Sequence, residues 1–62
     1  MKKYYVIVDA EDREVNFYDS TFPNAKNRAI QSAKQVDDSI ILERTVTNGT
    51  KSDSIIWRSN PQ

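Results

Sequence analysis

Apolar residues recur at two different spacings along the chain, and the switches between them mark out strands and a helix. Lys3 to Asp9 (KYYVIVD) is rich in β-branched and aromatic residues over the length of a strand, and Ala10 to Arg13 (AEDR) breaks it. Glu14 to Asp19 (EVNFYD) resumes with Val15 and Phe17 two apart, so residues 3–19 predict a hairpin with an acidic tip. In STFPNAKNRAIQSAKQVDD the spacing lengthens. Phe22, Ala25, Ala29, Ala33 and Val36 fall three or four apart and define one helical stripe. Ser20 or Thr21 can cap the first turn, where Pro23 is tolerated because those N–H groups lack an intrahelical partner; Asn24 is the competing cap. A stripe made mostly of alanine fits a helix lying close against a sheet.

The last third, SIILERTVTNGTKSDSIIWRS, predicts a second hairpin. Asn48-Gly49 favours a two-residue type I′ turn, which places Thr47 opposite Thr50, Arg44 opposite Asp53, Leu42 opposite Ile55 and Ile40 opposite Trp57. Strict alternation then puts Ile40, Leu42, Val46, Ile55 and Trp57 on one face, and Ile41, Thr45, Ser52 and Ile56 on the other. The first strand divides in the same way, with Tyr4, Val6 and Val8 on one side and Tyr5 and Ile7 on the other.

These elements give an α+β chain of ββαββ type: a four-stranded, mostly antiparallel sheet with one helix on one face. A right-handed crossover from the second strand to the third, passing over the first, gives the order 2-1-3-4. The alternative is 2-1-4-3, with the first and fourth strands parallel. One domain over residues 1–59 is expected, with 60–62 as a frayed tail. One helix covers one face, yet both faces carry large apolar residues. With Trp57 assigned to the side of the alanine stripe, the uncovered face is expected to present Tyr5, Ile7, Ile41 and Ile56 as a surface for self-association or for a protein partner.

Composition narrows the chemistry. Sixty-two residues support only a thin core, and the absence of Cys and His excludes disulfides, thiolate nucleophiles, imidazole bases and the usual zinc ligand sets. The 9 basic and 9 acidic residues cancel, which argues against a dominant attraction to nucleic acid or to anionic membrane. The apolar run after Lys2 and Lys3 stops at Asp9, too soon for a signal-peptide core or a membrane span, so a soluble cytoplasmic chain is expected.

Asp9, Glu11, Asp12 and Glu14 cluster at the first hairpin tip, but without the glycine turn and ligand spacing of a calcium loop they read as a solvated tip. The single glycine is committed to a turn, so no phosphate-cradling loop exists and no nucleophile motif is present. No cofactor, metal or catalytic activity is expected. The predicted helix is the polarised element. Lys26, Arg28 and Lys34 give it three positive charges and no acid, and Asn27 and Gln31 stand near them. An accessory role in nucleic-acid binding through this face is the alternative function; solvated helix-forming residues are its plainer explanation. Most of the aromatic residues are expected in the core, with Tyr5 and Tyr18 the first candidates for the surface; a base-stacking platform is disfavoured because the motif of single-stranded RNA binders is missing and the basic residues lie mainly on the other side.

MKKYYVIVD, FYDST, the alanines from Ala25 to Ala33 and the closing IIW together resemble small proteins of Gram-positive bacteria and their phages and plasmids. The resemblance implies a ββαββ shape and a mobile-element origin, and brings no catalytic residue with it.

Overall fold

A computed structural model describes residues 1–60. Strands β1 (Lys2–Val8) and β2 (Glu14–Asp19) are followed by helix α1 (Ala25–Ala33) and by strands β3 (Ile40–Thr47) and β4 (Thr50–Arg58). The strands form one sheet in the order β2-β1-β3-β4 with every neighbouring pair antiparallel, which selects the first of the two expected orders. Strand β1 is thus flanked on both sides, and β2 and β4 are the edges.

The helix is shorter than its stripe. Asn24 stands at the N-cap in a left-handed conformation (φ 56°) and makes no side-chain cap. The turn before it is held by Asp19, whose carboxylate accepts from the Thr21 N–H at 2.9 Å and hydroxyl at 2.8 Å. Phe22 therefore lies outside the helix and is largely exposed. At the other end Val36 leaves the helix in tight turns, and the buried Ser39 hydroxyl donates to the Ala33 carbonyl at 2.7 Å, satisfying one of the orphan acceptors of the last turn.

Ala25, Ala29 and Ala33 are buried, as the stripe requires, and the helix rests mainly on β1, β2 and β3. The residues beneath it are Ile7 and Ile41, both at 0% exposure, with Tyr5, Tyr18, Ile30, Ile56 and Trp57 packed around them. This reverses the expected assignment of faces. Tyr5, Ile7, Ile41 and Ile56 are not an open surface; they are the core and its margin, and Tyr5 and Tyr18 are half-buried there.

Two β-bulges account for the departures from strict alternation. In the β3–β4 hairpin Thr47 pairs with Thr50, Arg44 with Asp53 and Leu42 with Ile55, as expected from the turn. Ile56 is then an extra residue, so Ile41 meets Trp57, and Ile40 meets Arg58 instead of Trp57. The inserted residue returns Trp57 to the helix side, where it packs beside the alanine stripe. In the β1–β2 hairpin Val15 is the extra residue, between the pairs Ile7 with Asn16 and Val8 with Glu14. The tail expected at 60–62 falls outside the described residues at 61 and 62. Within them, the Ser59 N–H donates to the Ser39 carbonyl at 3.0 Å, and the Asn60 amide reaches Asp38 at 3.4 Å.

Candidate functional site

With the helix on the side of Ile7 and Ile41, the uncovered face is the one carrying Tyr4, Val6, Phe17, Leu42, Arg44, Val46 and Ile55. Register builds it. Val6 stands between Phe17 on β2 and Leu42 on β3, and Leu42 faces Ile55 on β4, giving an apolar row that crosses all four strands. Val6 is closed off from solvent by these neighbours, but Phe17 is 64% exposed and Ile55 47% exposed. The Tyr4 and Phe17 rings meet edge to face with centroids 6.0 Å apart, which holds the Phe17 ring in place.

Beside this row runs a charged one. Arg44 donates from Nε to Asp53 Oδ1 at 2.9 Å and from Nη2 to Asp53 Oδ2 at 3.1 Å. In the other direction its Nη1 and Nη2 reach Glu14 Oε1 and Oε2 at 3.1 and 3.0 Å. Glu14 belongs to β2, so the Arg44 side chain spans β1 and ties β4, β3 and the far edge strand together. Both contacts use two nitrogens on two oxygens, the geometry in which arginine binds a carboxylate most tightly. Hydrogen bonding to Arg44 holds the Glu14 and Asp53 carboxyls below the ordinary carboxylate range, and those two carboxylates raise the guanidinium further above its usual value. Tyr4, Val6, Glu14, Phe17, Arg44, Val46 and Lys51 surround a shallow depression of about 310 Å³.

The acidic tip is divided. Asp9 turns inward to the loop and accepts from the N–H groups of Arg13 and Glu11, both at 2.9 Å; the Arg13 N–H contributes most to lowering its pKa. Glu14 leaves the tip for Arg44. Among the described residues, no three acidic groups gather where they could hold a metal ion.

On the opposite side, Lys26, Asn27, Arg28 and Gln31 on α1 and Lys34 at its C-cap are all exposed. Asn27, Arg28 and Gln31 border a shallow groove with Tyr18 and Ser32, and none of the three cations forms an ion pair among the described residues. The nucleic-acid alternative thus keeps its residues on one accessible element, whereas the expected partner face does not.

The residues that replace it were within reach of the sequence. The hairpin ladder had already placed Arg44 and Asp53 on the same side as Leu42 and Ile55, and paired charges in the middle of a face mark it as the one turned to water. No family model, curated protein or solved structure matches this chain. No helix among the described residues is long and apolar enough to cross a membrane.

Proposed function

We propose that this protein is a non-enzymatic binding module that captures a protein surface with the uncovered face of its sheet, acting in the cytoplasm. The observation that supports it is the exposure of Phe17 and Ile55 in one continuous apolar row with no second layer above it among the described residues. Large apolar side chains grouped on one surface, rimmed by polar residues, are a mark of interaction sites. The Glu14–Arg44–Asp53 cluster supports the same reading, because it stiffens the sheet and presents a surface whose charges are already satisfied. Carriage by a phage or plasmid belongs to the proposal on the strength of the resemblance alone, and no catalytic step is part of it.

The test is positional photo-crosslinking. A benzophenone-bearing residue in place of Phe17 is expected to give discrete adducts in cells expressing the protein, and the same residue in place of Lys26, on the far side of the molecule, to give none. Loss of the position-17 adducts on adding Ile55→Lys ties them to this face. An unadducted chain at position 17, or equal labelling from both positions, overturns the reading.

A further inference from the structure

Resting on that reading, we infer that the occupant of the uncovered face is a second copy of this chain, docked sheet to sheet. The charges around the depression cancel within one chain: Arg44 and Lys51 against Glu14 and Asp53. Lys2 lies near Asp19 at one end of the face, and Arg58 shares a cleft with Asp38 at the other. A strongly acidic or basic partner would find no counter-charge here. A surface that is itself apolar and internally neutral would, and the same face of another copy is such a surface.

Sheet packing adds a geometric reason. Two sheets stack well when they share hand and degree of twist, and two copies of one sheet share both. In that arrangement the two α1 helices, each with Lys26, Arg28 and Lys34, lie on the outside of the pair. Their charges are about 30 Å apart, three layer spacings and several Debye lengths at physiological salt, so they do not oppose docking. Edge-to-edge pairing through β2 or β4 is the other symmetric route, and charged residues on both edge strands, Glu14 and Asp19 on β2 and Lys51 and Asp53 on β4, work against it.

Size sets the strength. Four strands about 4.8 Å apart and about seven residues long present roughly 450 Å², against about 800 Å² from each partner in a standard stable interface. An interface of this size falls below the standard stable class, so the dimer is a weak and concentration-dependent one.

Sedimentation equilibrium from about 10 µM to about 1 mM tests this, together with amide chemical shifts over the same range. The weight-average mass should rise from 7.2 kDa toward twice that value. Concentration-dependent shifts should gather on Tyr4, Val6, Phe17, Leu42 and Ile55 and spare α1. Phe17→Glu and, separately, Ile55→Lys should each weaken association at least about tenfold, because each buries an unpaired charge in the apolar row. The combined Lys26→Gln, Arg28→Gln and Lys34→Gln variant should leave association unchanged. A monomer at 1 mM overturns the inference, as do shifts confined to α1 or to the outer edge of β4. Because those shifts are read on the unmodified chain, misfolding of a variant cannot hide the answer. A crosslink from position 17 to a different protein, in a chain that stays monomeric, sinks the second copy while leaving the binding-module proposal standing.

Discussion

Ile41→Ala and Ile55→Ala make the same chemical deletion on opposite faces of the sheet, and the structure assigns them very different costs. Ile41 has no exposed surface and lies among Ile7, Ala29 and Ala33. Removing a buried isoleucine side chain in such a setting costs about 2–5 kcal/mol through lost transfer energy plus the remaining cavity. Ile55 keeps 47% of its surface in water, so its removal forfeits about half of a burial worth roughly 1.5–3 kcal/mol, or about 1 kcal/mol. A domain of this length has a total stability of about 3–9 kcal/mol. Ile41→Ala thus consumes much of the stability, and at about 4–8 °C per kcal/mol lowers Tm by roughly 10–40 °C. Urea unfolding followed by the emission of Trp57, which packs at the margin of this core, and by circular dichroism should yield a midpoint far lower for Ile41→Ala than for Ile55→Ala. Equal midpoints, or the reverse order, would place the helix over Leu42 and Ile55 and refute the assignment of faces together with everything built on it.

Acid should weaken the fold through the Arg44 cluster: the Glu14 and Asp53 carboxyls titrate lower folded than unfolded, so their contribution is present above about pH 4 and is lost as pH falls through the folded values. Arg44→Leu should flatten that dependence in urea melts between pH 2 and 5, and an unchanged slope would show that the ion pairs contribute nothing to stability. Gly49 sits at φ +82° with open space where a Cβ would stand, so Gly49→Ala should cost about 1 kcal/mol through backbone strain alone; a neutral result in the same melts would mean that the turn relaxes to another type. For the basic helix we expect no mobility shift of DNA or RNA at physiological salt; micromolar binding that disappears in the Lys26→Gln, Arg28→Gln and Lys34→Gln variant would favour the nucleic-acid alternative.

The elements and most of the hairpin register are legible in the sequence because each rests on a local signal: Asn48-Gly49 for the turn, the alanines for the helix, two short β-rich runs for the first hairpin; the strand order rests on the crossover rule, which leaves 2-1-3-4 and 2-1-4-3 both open. For the face beneath the helix the one local signal is the Arg44–Asp53 pair among Leu42 and Ile55 on the opposite side, and the apolar residues around that pair mask it. Alternation says which residues share a side, while the side that receives α1 depends on the hand of the crossover from β2 to β3. In an L-amino-acid strand the direction of a residue's N–H and C=O is tied to the side its Cβ takes, so hairpin loop length and crossover hand select the face jointly. Apolar count alone, nearly equal for Ile7 with Ile41 and for Val6 with Leu42, carries no such information. The bulge at Ile56 hid the rest. It brings Trp57 to the helix side from a face that alternation would have left open, so Trp57 lies where it was expected while the residues expected beside it do not.

Strand β1 is made before either of its neighbours and ends in the middle of the sheet, which imposes an order on synthesis. It can zip to β2 almost at once, but Ile7 stays uncovered until α1 and then Ile41 have followed. At roughly 5–20 residues per second that is a wait of a few seconds during which an aromatic, β-branched strand stands open on its inner side. Lys2 and Lys3 at the start of this strand and Asp9 just after it flank its apolar stretch with charge, as gatekeeping residues do around unavoidable hydrophobic strands. The nascent chain is thus guarded against stray β-pairing during the interval in which its central strand has one partner and needs two.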